Sequence, residues 1–407
     1  MLNSAAKKSA ELKFDLAAPP DWAYAPGDSV IGNLMRRAPV VTPEATLTLW
    51  LDGAIRTGIS PERSSRYSFR YAEKWNLVER RDEIIFQGPL HIREGHEPPS
   101  WPFSIEIPSH PARKTGQKMP RAFLPQDEHE HHTLPPSFYS SGQNYGVSEG
   151  AVEYALQARL HYTVGGSHKV HTATFPIKVH QVVDEAPPAY ELVERSSLEV
   201  WVLSQRLLPG MDKAELSLLQ QTQKFLGSSK VPLFQYKITM SLPATIQLDS
   251  PEPIPLVMKV VPVPTKTDVS IRDLPQTIEI RLIKLHLQHR TVLITPSNFS
   301  NTRVISDEHL YSADLNFPRL ETPLVTSTGE ENKPIDIGSM FELHLTSSGA
   351  LESNGQTLTQ FPKAITADFT TYTIQHSHRL KFETYVTVAG ETQRVDILAP
   401  LEILAAV

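Results

Sequence analysis

Between Val152 and Val164 the chain reads VEYALQARLHYTV. Its even positions, Val152, Tyr154, Leu156, Ala158, Leu160, Tyr162 and Val164, are all apolar. Glu153, Gln157, Arg159, His161 and Thr163 alternate with them, and Ala155 is the exception. Alternation of period two predicts a strand with one face on a core and the other in water. A helix would scatter the same residues around its whole cylinder. The pattern recurs in ATLTLWL, through Ala45, Leu47, Leu49 and Leu51. It recurs again in WPFSIEIP, through Trp101, Phe103, Ile105 and Ile107, and in FELHL, through Phe341, Leu343 and Leu345. In IEIRLIKLHL it runs through Ile278, Ile280 and Leu282, then changes phase to Ile283, Leu285 and Leu287. Such a slip marks either a β-bulge or a strand buried on both sides, and the pattern alone does not choose.

Turn signals separate these runs: Pro26-Gly27-Asp28, Asp52-Gly53, Gly165-Gly166, Ser353-Asn354-Gly355 and Ala389-Gly390. Gly165-Gly166, with alternating residues on both sides, predicts a hairpin. One helix is expected, in MDKAELSLLQQTQKFLG (211–227), with Asp212 and Glu215 in an acidic first turn, Lys224 near the end and Gly227 as C-cap. The chain holds 34 prolines against 19 glycines. Prolines break helices but are tolerated at strand ends and in turns, so this usage suits an all-β protein.

A chain of 407 residues exceeds the usual single core. The expectation is therefore two tandem β-sandwiches, at 10–183 and 191–407, with one short helix in the C-terminal half. A net charge of −6 argues against nucleic acid as a partner. Without cysteine there are no disulfides, thiolate nucleophiles or cysteine-based zinc sites. The opening MLNSAAKKSAELKFDL has no apolar core of signal-peptide length, and no run approaches the roughly 20 apolar residues of a spanning helix. A cytoplasmic location is the simplest expectation, in which the sequon Asn298-Phe299-Ser300 goes unused.

Three stretches, in order, resemble the arrestin fold. APGDSVIGNLMRR (25–37) has its Gly-Asp turn, apolar strand and second glycine. WPFSIEIP (101–108) resembles the aromatic-Pro-Phe strand that ends on proline. LPPSFYSSGQNYGVSEGAVEYALQARL (134–160) resembles the Leu-Pro-Pro-Ser-Phe stretch, its glycine loop and the strand that follows. In the C-terminal half, TYTIQHSHRLKFETYVTVAGETQRVDILAPLEIL (371–404) is similar to the closing hairpin of a C-terminal arrestin domain. The chain thus resembles the compact arrestin-like proteins of filamentous fungi, which are related to the α-arrestins. The resemblance implies two immunoglobulin-like sandwiches, no catalytic site, no cofactor and an adaptor role. It also implies partners: cytoplasmic segments of membrane transporters or receptors, and the WW domains of a HECT-type ubiquitin ligase. Association would be peripheral, at plasma membrane or endosomes, and would lead to ubiquitination and endocytosis. The alternative within the same fold is a structural trafficking subunit of retromer type that recruits no ligase.

The candidate ligand for the WW domains is Pro187-Pro188-Ala189-Tyr190, a P-P-x-Y match inside VVDEAPPAYELVERSS. The proline pair favours polyproline II and the tyrosine adds an aromatic anchor, so docking costs little conformational entropy. The same residues also suit a stiff linker with a buried tyrosine. α-Arrestins carry such motifs in long C-terminal tails, whereas here the copy lies between the expected domains. The run Asp127, Glu128, His129, Glu130, His131 and His132 holds imidazoles and carboxylates. Between prolines it reads as a solvated loop, and no metal is assigned to it. Arg36, Arg37, Arg80 and Arg81 are basic pairs that would either meet phosphorylated segments and anionic lipid or protect strand edges. No P-loop, dinucleotide fingerprint or zincin motif occurs in the sequence.

Overall fold

The computed structural model describes residues 12–60, 71–112, 123–124, 132–142, 147–183, 191–211, 214–228, 230–295, 302–324, 334–361 and 364–406. Most of them are in strands. The chain divides into two compact units, both discontinuous in sequence. Unit 1 comprises Met1–Val182, Thr291–Ser306 and Phe369–His376; unit 2 comprises Val183–Arg290, Asp307–Asp368 and Ser377–Val407.

The first ten strands belong to unit 1. They are β1 (Leu12–Leu16), β2 (Ala23–Tyr24), β3 (Ser29–Arg36), β4 (Val40–Ser60) and β5 (Tyr71–Asn76). After these come β6 (Glu83–Ile92), β7 (Ser100–Glu106), β8 (Phe138–Gly142), β9 (Val147–Val164) and β10 (Ser167–Val179). One sheet has the order β1-β3-β7; the other runs β2-β10-β9-β4-β5, with β6 also on β4 and β8 on β9. The long β4 carries two shorter partners on one edge, β6 along its first half and β5 along its second. Its other edge pairs with β9 from Ala45↔Tyr162 to Ser60↔Val147. A single apolar core joins the sheets, and Phe14 of β1 meets both Phe103 and Phe175 at about 6 Å.

The alternation read from the sequence is the alternation of burial. Ala45, Leu47, Leu49 and Leu51 are buried, as are Trp101, Phe103, Ile105 and Ile107. In β9 the buried series runs from Val152 to Leu160; Tyr162 is half-buried and Val164 exposed, because the strand outruns the core toward its hairpin. Several of the described prolines in strands sit at edges or irregularities, where a missing N–H is tolerated. Pro89 and Pro102 lie on strands with a free edge, β6 and β7. Pro43 falls at the register shift between Thr42 and Ala45 in the β4–β6 pair. Pro176 precedes the short stretch of β10 that pairs with β2.

The two later segments complete the interior of unit 1. Leu293, Tyr372 and Ile374 are part of its core. The Tyr372 ring lies 5.5 Å from that of Trp75, and the Thr57 hydroxyl donates to the Ile294 carbonyl at 3.3 Å. Gly150 makes room for Leu293: a Cβ there would stand 2.5 Å from its Cδ2.

Unit 2 continues with β11 (Leu192–Ser196), β12 (Val200–Leu203), α1 (Leu218–Phe225), β13 (Leu233–Pro243), β14 (Thr245–Gln247) and β15 (Val257–Pro262). Then come β16 (Gln276–Thr295), β17 (Thr302–Leu324), β18 (Ile335–Asp336), α2 (Ile337–Phe341), β19 (Leu343–Leu345), β20 (Ala350–Ser353) and β21 (Gln356–Gln360). The chain ends with β22 (Phe369–Thr370), β23 (Ile374–Val388) and β24 (Glu391–Leu404). By the division above, β22 and the ends of β16, β17 and β23 count with unit 1. The main sheets are β11-β13-β15-β18, with β12 also on β13, and β14-β24-β23-β16-β17; a small third sheet is β19-β20-β21. A second, separate core fills unit 2, so an all-β sandwich architecture describes the chain.

In β16 the buried positions are Ile278 and Ile280, then Ile283, Leu285 and Leu287, with Leu282 only half-buried. The phase slips at Arg281–Leu282, and from Thr291 to Thr295 every residue is buried. Burial on both faces is thus found at the end of the strand, whereas around the phase change the burial still alternates. Three of the expected turns are two-residue hairpin turns of type I′, which need positive φ at both positions. They are Gly165-Gly166 (57° and 80°), Asn354-Gly355 (49° and 71°) and Ala389-Gly390 (50° and 79°).

Three expectations are corrected. Asp52-Gly53 is no turn but lies inside β4, where a Cβ on Gly53 would fall 2.6 Å from Val78 Cγ2 and 2.8 Å from Tyr154 Cδ1. The glycine is there for a close approach, not for a bend. The described helix is shorter than 211–227 and lacks an acidic first turn. Ser217 caps it, exchanging bonds with Gln220, and Gly227 with Ser228 closes it in a Schellman arrangement. A second helix, α2, was not expected: Asp336 accepts from the Ser339 N–H and starts a turn that takes Phe341 out of the FELHL strand. Among the described residues no helix is long and apolar enough to cross a membrane.

Candidate interaction cleft

Pro187, Pro188 and Tyr190 lie outside the described residues, as do Asp127 to His131. Of the histidine-rich run only His132 is described, and its carbonyl accepts from His110 Nδ1 at 3.0 Å. The flanks of the P-P-x-Y stretch are in view: β10 ends at Val179 and β11 starts at Leu192.

The four arginines divide. Arg36 is only 2% exposed. Its Nε donates to the Ala38 carbonyl at 3.2 Å and its Nη2 to the Tyr162 hydroxyl at 3.3 Å, with the guanidinium 5.1 Å from that ring. Tyr162 in turn stacks on His171. Arg36 therefore belongs to the interior of unit 1, which corrects its reading as a solvated basic residue; alternation along β3 turns it inward beside Leu34. Arg37 is exposed.

Arg80 and Arg81 border an open cleft of about 880 Å³ in unit 1. Its floor is apolar, from Leu51, Leu77, Val78 and Ile105, and its walls carry Lys74, Arg81, Glu83, Glu106 and His110. The backbone around it is pinned: the N–H groups of Leu77 and Val78 both donate to the Gly53 carbonyl, and that of Ala112 to Leu77. Trp50 stands on the face of β4 opposite Leu49 and Leu51, yet is buried. The Arg80 guanidinium covers its ring at 4.0 Å and that of Arg159 approaches at 5.2 Å. Asp82 grips Arg80 with both oxygens, at 2.6 and 3.0 Å. That hydrogen bond holds the Asp82 carboxyl below the usual carboxylate range and raises Arg80.

Every cation here has a carboxylate near it. Lys74 lies 3.6 Å from Asp52 and Arg81 3.4 Å from Glu79. These pairs are exposed, so each contributes little to stability. Their consequence is for recognition: the walls present alternating charge above an apolar floor, not a bare positive field. Such a surface offers contacts to both polar and apolar groups. Among the described residues, no three of His, Asp and Glu come together as a set that could hold a metal ion. No protein-family model and no curated protein matches the chain.

Proposed function

We propose that the chain is a non-enzymatic, cytoplasmic, arrestin-like trafficking adaptor. One surface would hold cytoplasmic segments of membrane proteins, and Pro187, Pro188 and Tyr190 would recruit a WW domain of a HECT-type ubiquitin ligase. The all-β sandwich architecture supports the fold half of this reading. The observation that carries the binding half is the place of the P-P-x-Y motif. In sequence it falls between β10, which ends at Val179, and β11, which starts at Leu192. A proline pair favours polyproline II, so little conformational entropy is lost on docking. The cleft bordered by Arg80 and Arg81 is the surface we assign to the cargo segment.

Titration of the full chain with a WW domain from such a ligase tests the reading. Saturable binding to the wild type, lost on Tyr190→Ala, supports it. Equal binding by both, or none by either, overturns it. A stable multi-protein complex that survives purification and ignores Tyr190→Ala would favour the retromer-type scaffold instead.

A further inference from the structure

α1 carries its amphipathicity the wrong way round for a helix that packs on a sheet. Leu218, Leu219, Thr222, Phe225 and Leu226 recur at helical spacing along one side. Yet no α1 residue is buried: Leu218 is 83% exposed, Leu219 68%, Phe225 90% and the capping Leu226 73%. What ties this stretch to unit 2 is polar. Lys224 Nζ pairs with Glu391 at 2.5 Å, and just ahead of the helix Arg206 Nε donates to the Ala214 carbonyl at 3.1 Å. With a capping box at one end and a Schellman closure at the other, the helix is stabilised without burying its apolar side.

Charge is nearly absent from it. Between Leu216 and Ser228 the one ionisable residue is Lys224, and Glu391 occupies it. The polar positions are otherwise Ser217, Gln220, Gln221, Thr222, Gln223 and Ser228.

We propose that α1 docks unit 2 on a lipid bilayer, its leucines and phenylalanine entering between neutral headgroups at packing defects. Area argues against a folded protein as the occupant. The exposed side chains offer on the order of 500 Å², whereas a stable protein interface takes about 800 Å² from each partner. Chemistry argues for the bilayer. Bulky apolar groups flanked by uncharged Gln, Ser and Thr bind by insertion and respond to curvature and lipid packing; helices that bind by charge instead line their polar face with Lys and Arg. The inference concerns α1 alone and stands whether or not the adaptor reading holds.

Flotation of the full chain with phosphatidylcholine vesicles tests it, using small, highly curved vesicles and large ones. Binding is expected on the small vesicles, weaker on the large ones and insensitive to salt. Leu219→Ser combined with Phe225→Ser should weaken it at least tenfold. Neither side chain is buried, so the thermal melt of this variant should match the wild type. Phe225→Trp should also show a blue-shifted emission when the small vesicles are added. The proposal is overturned by a wild type that does not float, or by a double variant that floats equally. It is also overturned by binding that needs phosphatidylserine and disappears in salt, or by a dimer in sedimentation that the double variant abolishes.

Discussion

Gly150→Ala asks whether Thr291–Ser306 is an integral part of unit 1. Gly150 lies in β9 with no positive φ, so the added methyl meets no backbone penalty, only its surroundings. Those surroundings are Leu293 Cδ2 at 2.5 Å, with Leu293 Cδ1 and Ile374 Cδ1 at 3.4 Å. Carbon atoms prefer about 3.5–4.0 Å, so Leu293 must move by about an ångström. It has little room, being 2% exposed and part of the core. Overpacking of this kind costs about 1–3 kcal/mol. Against it stands a gain of about 0.4–1 kcal/mol from the stiffer unfolded chain, so the single variant should lose roughly 1–2 kcal/mol. Leu293→Ala alone should lose about 2–5 kcal/mol by opening a cavity. In the double variant the new methyl points into the space the leucine vacated. The combined loss should therefore fall short of the sum by about 1–2 kcal/mol. Urea unfolding followed by tryptophan fluorescence measures this, because Trp22, Trp50, Trp75 and Trp101 all belong to unit 1. A Trp201→Phe background silences the one tryptophan of unit 2. Additivity within about 0.5 kcal/mol would refute the contact.

Two further predictions concern unit 2. Glu383 accepts from Lys381 at 2.9 Å and from Arg394 at 3.0 Å, and its carboxyl sits below the usual range chiefly through the Lys381 bond. Asp396, bonded to Arg394, is lowered too. A lowered folded value means stability present above the unfolded value, near pH 4, and lost as pH falls through the folded one. Glu383→Gln should thus cost roughly 1.5–3 kcal/mol at neutral pH and progressively less in acid; an equal cost at about pH 7 and about pH 2, by hydrogen exchange of the β23–β24 hairpin, would contradict this. Ala389 holds φ at +50° in that hairpin's turn. Ala389→Gly should raise the melting temperature, relieving about 1 kcal/mol of left-handed strain against a smaller entropic loss; a lower one would show that the half-buried methyl matters more.

What the sequence revealed and what it hid have one physical dividing line. Alternation along a strand is local, so VEYALQARLHYTV, ATLTLWL and WPFSIEIP could be read directly. Hairpin turns are local as well, and Gly165-Gly166 and Asn354-Gly355 were visible in their dipeptides. Asp52-Gly53 has the same local signature but a different cause, the approach of Val78 and Tyr154 from elsewhere in the fold. Arg36 misleads in a similar way: basic residues are usually solvated, and partners such as the tyrosine brought over by β9 make the inward position tolerable. Nothing local indicates that Leu293, Tyr372 and Ile374 complete the core of unit 1. The cleft was legible only in part, because Arg80 and Arg81 stand out as a basic pair while Lys74, Glu83 and Glu106 become neighbours through pairing.

The pairing of charges also bears on how this molecule would find partners. Around the cleft, Arg80, Arg81 and Lys74 each have a carboxylate at hand. On the β23–β24 hairpin, Lys381 and Arg394 share Glu383 and Asp396. A surface arranged this way gains little from long-range steering of a charged partner, and salt should change its encounters only weakly. Two of the elements proposed to bind are of another kind. The P-P-x-Y motif and α1 offer proline, tyrosine, leucine and phenylalanine, whose contacts depend on excluding water. Recognition by desolvated apolar contacts predicts affinities that persist at high ionic strength and move mainly through the dissociation rate. A phosphate-reading surface would lose affinity steeply in the same salt series. The salt dependence of binding therefore discriminates between an adaptor that reads apolar ligands and one that reads charge, before any cargo is identified.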